Sequence, residues 1–377
     1  MIPFSRIIKY GNVVHVKNIV DIQVSRSHAL VLDSDGNLWG RGTNTNNILN
    51  NTGVSTSSTF ILVDTGVTVM HCLYNITLYV KDGSLYRIGG SPVWDTGGAV
   101  STPTTVSLPF SASNIKKIQG VTNSSLMILL NDGTMWFRGS GTNGRFGNAS
   151  TGTINTWTLS SMSNIKDMFH TFVTFEGSSA YSVLLLNDGT VWGAGSVRAN
   201  GVGFGFGTYV STTSWIQRSA TQVIQEFAAG SGGSVMYLDT SNNLYGDGNM
   251  NSELDGTLAK PTFVNNLMAS CVKLFGLNYE SSYYVLSTTP TVLNAGGRNA
   301  YRTSSFSSAG TYVGRVNTDL LENVSKIYTP SIDAAIAIQY ISLQRTDVVM
   351  GGNSTAYQLG VNTGNINLVK SNLPGIG

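Results

Sequence analysis

The stretch Leu126-Met127-Ile128-Leu129-Leu130-Asn131-Asp132-Gly133-Thr134-Met135-Trp136-Phe137-Arg138-Gly139 reads as a strand, a tight turn, a second strand and a closing glycine. Its first five residues are apolar throughout, as expected of a strand packed on both faces. Asp132-Gly133 suits the positive backbone angles of a tight hairpin. Upstream, Asn114-Ile115-Lys116-Lys117-Ile118 reads as a preceding strand, and downstream Thr156-Trp157-Thr158-Leu159 reads as a fourth.

The unit recurs. Apolar runs like the quoted one appear at Ala29–Leu32, Ile76–Val80, Val183–Leu186, Val235–Leu238, Tyr283–Leu286 and Ile338–Ile341. Closing glycines stand at Gly42, Gly89, Gly139, Gly195, Gly248, Gly296 and Gly351, with separations of 47, 50, 56, 53, 48 and 55 residues. The joining dipeptide is Asp35-Gly36, Asp82-Gly83, Asp132-Gly133 and Asp188-Gly189 in the first four copies, then Ser241-Asn242, Thr289-Pro290 and Gln344-Arg345. A period of roughly 40–50 residues built from strands predicts β-propeller blades. The expected fold is all-β: one seven-bladed β-propeller domain over residues 1–377, with four-stranded blades near 18–64, 66–107, 114–160, 164–218, 222–265, 270–317 and 323–370. A terminal strand, Val13–Val16 or Ile366–Val369, is expected to complete the last blade and hide its edge.

With 22 Lys and Arg against 20 Asp and Glu, and only 11% charged residues, the chain offers no electrostatic case for nucleic acid or an anionic membrane. Solubility is expected to rest on Ser, Thr, Asn and Gly. Met1-Ile2-Pro3-Phe4-Ser5-Arg6 lacks the pattern of a signal peptide, and no run of about 18 apolar residues predicts a membrane span. Cys72 and Cys271 fall far apart on a ring, so the expectation is two free, core-packed thiols.

The order of apolar strand, Asp-Gly, aromatic strand, Gly and polar loop resembles the regulator-of-chromosome-condensation repeats over roughly residues 18 to 370. The family's Gly-Gln-Leu-Gly-like box is matched by Gly144-Arg145-Phe146-Gly147, Gly203-Phe204-Gly205, Leu254-Asp255-Gly256 and Gln358-Leu359-Gly360. The resemblance implies a seven-bladed propeller. It also implies a structural histidine before the second strand, which His28 matches.

In such a meander the loops joining strands one to two and three to four share one end, opposite the Asp-Gly hairpins. Their lengths vary, most in Val173–Ser179 and Ser196–Tyr209, which marks that end as an interaction surface. Aromatic and arginine side chains dominate binding hot spots, so Trp94, Arg145, Arg198, Phe206, Tyr209, Tyr301, Arg302 and Tyr357 are the candidate contacts. The competing reading gives Phe146 and Phe204 the family's structural leucine position and makes Trp94 a blade cap.

Chemical motifs are sparse. His15, His28, His71 and His170 lack paired metal-ligand spacing, and no cofactor is expected. Asp33-Ser34-Asp35-Gly36-Asn37 resembles the start of a calcium loop but lacks its later glutamate, and a hairpin explains it. Gly201-Val202-Gly203-Phe204-Gly205 lacks the strand-to-helix context of a nucleotide fingerprint. The leading expectation is a non-enzymatic structural or adhesive component of a bacteriophage particle, made in the host cytoplasm. Its partners would be other virion proteins or a host-surface glycan or protein. The alternative is a soluble protein-binding propeller of inhibitor or regulator type. A glycan-active enzyme would need clustered carboxylates, for which Glu176, Glu253 and Asp255 are the acidic candidates. The family's nuclear exchange role would call for basic arms and an acidic face, which the chain lacks.

Overall fold

The computed structural model describes residues 19–25, 27–50, 53–173, 179–196, 211–217, 221–229 and 234–248. It also describes the backbones of Lys260–Met268, Cys271–Leu277, Tyr283–Ser287, Leu293–Arg298, Thr311–Arg315, Val324–Tyr328, Ile336–Ser342, Arg345–Asn353 and Asn365–Lys370. The described residues form seven four-stranded antiparallel sheets, in each of which the strands are hydrogen-bonded in chain order. The first comprises Ile19–Val24, His28–Asp33, Leu38–Thr43 and Thr56–Asp64; the third comprises Ile115–Val121, Ser125–Leu130, Met135–Ser140 and Thr153–Leu159. Such repetition is the architecture of a β-propeller. The outer strand of the last sheet is Asn365–Lys370, which follows its three partners in sequence; residues 13–16 lie outside the described residues.

The sheets stack face to face because their second strands are apolar on both sides. Along Ser125–Leu130, Leu126 and Ile128 pack with Leu78, Val80 and Leu85 of the second sheet. The alternate residues Met127 and Leu129 pack with Ile165, Met168 and Leu184 of the fourth. This is the two-residue period of a strand read from both faces. Each such side chain contributes about 1.5–3 kcal/mol by leaving water.

The Asp-Gly hairpins come in two forms. In the second sheet Lys81 pairs with Ser84, and both Asp82 (φ 49°) and Gly83 (φ 71°) are left-handed, as a two-residue loop requires. In the first, third and fourth sheets only the glycine is left-handed, at φ 77–81°. There the glycine carbonyl accepts a hydrogen bond from the first strand of the next sheet: Val67 N–H to Gly36 at 2.9 Å, Ile165 to Gly133 at 3.0 Å and Ile224 to Gly189 at 3.0 Å. The fifth hairpin, where the sequence departs from Asp-Gly, keeps this geometry by placing Asn242 at φ 65°. Asparagine is one of the few residues other than glycine that visits this region routinely.

The closing glycines have a second reason to recur. Gly89, Gly139 and Gly195 sit at φ 118°, 108° and 107°. A Cβ there would lie 2.3, 2.4 and 2.2 Å from the carbonyl oxygens of Asn75, Ser124 and Ala180.

Candidate functional site

Two of the eight predicted contact residues lie in the described structure with their side chains, and both are fully buried. Trp94 fills the core between the second and third sheets beside Leu73, Ile118 and Leu126. Arg145 donates from Nε to the Ser140 carbonyl at 2.8 Å and stands 6.0 Å from the Phe146 ring; burial pulls its guanidinium down to about 10. Neither can meet an outside partner, which corrects the surface reading. Arg198, Phe206, Tyr209, Tyr301, Arg302 and Tyr357 lie outside the described residues, as do Glu176, Glu253 and Asp255.

The correction follows from how the loop between the third and fourth strands is built. After Gly139 a 3₁₀ turn, Thr142–Gly144, drops Phe146 into the core between the third and fourth sheets, with left-handed Gly144 (φ 77°) and Gly147 (φ 64°) on either side. Asn47-Ile48-Leu49-Asn50 repeats this arrangement in the first sheet: both asparagines are left-handed, at φ 59° and 51°, and Ile48 and Leu49 are fully buried. Sequence reading missed this copy because asparagine stands where glycine was sought. Leu49, Trp94 and Phe146 are therefore successive plugs, one between each neighbouring pair of the first four sheets.

Polar side chains knit the same end together. His28 Nδ1 lies 3.1 Å from Ser25 Oγ and 3.0 Å from Ser27 Oγ, and its Nε2 lies 3.2 Å from Cys72 Sγ and 3.0 Å from Thr77 Oγ1 of the second sheet. His71 Nε2 accepts the Gly120 N–H at 3.0 Å, reaching the third sheet. His170 of the fourth sheet bonds Ser125 Oγ of the third at 2.7 Å and Ser182 Oγ at 2.8 Å. Burial holds these imidazoles neutral: His28 falls to about 3, His71 to about 4, and His170 well below the ordinary value. Burial likewise pushes the free Cys72 thiol up to about 12, which leaves it protonated and unreactive. His28 is structural, as the resemblance implied.

Above this buried layer lies a surface shared by three sheets. Ser27 Oγ donates to the Tyr74 carbonyl, Asn123 Nδ2 bonds Asn75 Oδ1, and the Val93 N–H donates to the Asn123 carbonyl at 2.6 Å. Thr122 beside it is left-handed at φ 51°, an uncommon and strained conformation for a β-branched residue. Tyr74 and Val93 are 40% and 55% exposed on this frame. Next to them Asp95 is 2.9 Å from Arg87 Nε and 3.7 Å from Arg138 Nη1. This arrangement offers an apolar and aromatic contact on a hydrogen-bonded scaffold. Among the described residues no three His, Cys, Asp or Glu side chains converge as a metal site. The Asp33 carboxylate accepts from the Asp35 and Asn37 N–H groups, Asn37 Nδ2 and Trp39 Nε1, so Asp33–Asn37 is a self-capped hairpin turn.

Residues 19–48, most of the first sheet, match the family described as Regulator of chromosome condensation (RCC1) repeat. No curated protein matches the chain in sequence. Among solved structures, human WBSCR16 superimposes with a TM-score of 0.68 at 15% identity, covering 90% of this chain and 94% of its own. Prp20p from Saccharomyces cerevisiae gives 0.51 at 14% identity, covering 94% and 77%. Yeast RCC1 (Prp20) bound to Kap60 gives 0.52 at 15%, covering 94% and 75%. At these identities the likeness is one of fold. The chain carries a repeat of the RCC1 kind and folds as those proteins do.

Proposed function

We propose that the chain is a single, closed, seven-bladed propeller that acts without catalysis by binding another protein through its loop end. The reading rests chiefly on Tyr74 and Val93, both exposed in loops that the Ser27–Tyr74, Asn75–Asn123 and Val93–Asn123 hydrogen bonds tie across three sheets. Rigid scaffolds that present aromatic and apolar side chains from loops are the usual form of a binding surface. Closure is supported by the first strand of the first sheet, Ile19–Val24, lying beside that of the last, Val324–Tyr328. The similar Prp20p is a protein studied for its binding to Gsp1p and histones, and yeast RCC1 was solved bound to Kap60. These parallels support the protein-binding alternative over the virion component, which rested mostly on composition.

The test compares the two ends of the molecule. The chain and two variants, Tyr74→Asp/Val93→Asp at the loop end and Val223→Asp at the hairpin end, are used to recover partners from source cells. A protein recovered at fixed stoichiometry with the wild type and Val223→Asp, and lost with the loop-end variant, is the expected result. Equal recovery by all three overturns the assignment of the surface.

A further inference from the structure

Each sheet ends on its fourth strand, which has no further strand beside it. A row of free main-chain groups on such an edge is a template for pairing with another chain. In the first five sheets the fourth strand leaves register at one place. While the third strand runs from Gly40 to Gly42, the fourth runs from Ile61 back to Ser57. The same step recurs for Arg87–Gly89 against Thr104–Val100, Phe137–Gly139 against Thr158–Ile154, Gly193–Gly195 against Ile216–Thr212 and Gly246–Gly248 against Val264–Lys260. Three residues thus oppose one. The middle residue of the three carries a hydroxyl every time: Thr59, Thr102, Thr156, Ser214 and Thr262. The sixth outer strand, Thr311–Arg315, pairs residue for residue.

In the first four sheets the carbonyl of that middle residue is taken by a hydroxyl of its own strand, two residues away. Ser57 Oγ donates to the Thr59 carbonyl at 2.7 Å, Thr104 Oγ1 to Thr102 at 3.1 Å, Thr158 Oγ1 to Thr156 at 3.2 Å and Thr212 Oγ1 to Ser214 at 2.8 Å. In three of these bulges the preceding carbonyl is taken as well. Asn47 Nδ2 of the first sheet reaches Ser101 at 2.6 Å, Arg138 Nε reaches Asn155 at 2.9 Å, and the Ala149 N–H of the third sheet reaches Thr213 at 2.7 Å. Three unlike donors meet one position, and the hydroxyls come from either side of the next, so the recurring requirement lies at the carbonyls. The third bulge residue pins the device: Phe60 lies 4.5 Å from Arg41 Cζ, and Trp157 Nε1 donates to the Ser107 carbonyl at 2.9 Å.

We propose that the bulge and its caps close the outer rim of the first four sheets to strand addition by a second copy of the chain. An incoming strand must donate to edge carbonyls in sequence, and two occupied acceptors in succession break that ladder. The bulge also twists the edge away from a straight partner. None of this depends on which end of the molecule binds another protein.

Two variants of the full chain open the edge of the third sheet. Deleting Asn155 and Thr156 removes the two extra residues, and Arg138→Met/Thr158→Val removes both donors while keeping the bulge. Thr190→Val, which takes a hydroxyl from a hairpin, is the control and is expected to match wild type. In sedimentation equilibrium both edge variants are expected to self-associate at least about tenfold more strongly than wild type, the worth of one or two restored main-chain hydrogen bonds. Hydrogen exchange should then show new protection within Thr153–Leu159 as concentration rises. Association no stronger than wild type overturns the proposal. So does association in which Thr153–Leu159 gains no protection, or in which the core strand Ser125–Leu130 loses it, since the contact then lies elsewhere or follows from unfolding. If the deletion prevents folding, the double substitution decides alone.

Discussion

At the hairpin end, three neighbouring pairs of sheets are joined by main-chain bonds to a turn glycine; at the loop end, buried side chains carry most of the junctions, with main-chain bonds such as Val93 N–H to Asn123 added. The carbonyls of Gly36, Gly133 and Gly189 accept main-chain N–H groups from the next sheet, so this stitch asks the sequence for little more than a left-handed residue in the turn. The loop end uses His28 on Thr77 and Cys72, His71 on Gly120, His170 on Ser125, and plugs as different as Leu49, Trp94 and Phe146. A backbone device repeats because it tolerates any side chain. A side-chain device must be solved afresh at each junction, which leaves the loop end free to diverge and to carry function.

The largest expected effect lies at a closing glycine of the loop end. Gly195→Ala forces a Cβ to 2.2 Å from the Ala180 carbonyl at a left-handed φ, and it is expected to cost at least about 3 kcal/mol in urea unfolding. A loss under 1 kcal/mol would show that the closing glycines recur for another reason. Removing a plug comes next. Phe146→Ala or Trp94→Ala empties a fully buried site and is expected to cost about 3–5 kcal/mol. Removing a hairpin carboxylate by Asp239→Ala strips the Asn243 and Ser241 N–H groups and the Tyr245 hydroxyl of an acceptor, for about 1–2 kcal/mol. A hairpin loss as large as a plug loss would erase the contrast.

The two ends should also titrate in different windows. The histidines His28, His71 and His170 stay neutral in the fold while the unfolded chain takes up protons below about 6.5. Arg145 near His170 and Lys117 near His71 reinforce this. Stability is therefore full above pH 6.5 and falls as pH drops toward about 4, with each group losing up to about 1.4 kcal/mol per pH unit. At the hairpin end, hydrogen bonds from Thr134 and Thr190 hold Asp132 and Asp188 below their ordinary value. Their contribution is present above about pH 4 and is lost only below it. Urea midpoints measured from pH 7 to pH 3 should fall first with the histidines; a flat profile down to pH 4.5 would contradict their buried neutrality. The smallest effect is Asn242→Gly, expected to change stability by less than about 0.5 kcal/mol, whereas Asn242→Val costs about 1–2 kcal/mol. Equal costs would mean that the left-handed turn is not what position 242 supplies.

Much of the architecture was legible because it is periodic. The apolar run 126–130, the Asp-Gly turns and the closing glycines mark strands, hairpins and junctions whose requirements are local. The candidate site was not legible in the same way. Trp94 and Arg145 have the composition of contact residues, yet both are turned inward, Arg145 from a loop built on a 3₁₀ turn with left-handed Gly144 and Gly147. Tyr74, Val93 and Thr122 carry no motif; they belong to one end only because the second and third sheets present their loops there. The first plug box escaped notice because Asn47 and Asn50 do the work of glycine by tolerating the same backbone angles.

By itself the chain's sequence determined the repeated sheets, their strand order and the end at which loops vary, since those follow from hydrophobic period and turn chemistry along contiguous residues. Which loop residues are buried, which histidine meets which sheet, and where an exposed tyrosine and valine are held together were decided only in three dimensions. Each depends on a partner in the next sheet, 30 residues away for Val93 and 45 to 49 for the histidines, a distance over which a single sequence carries no local signal.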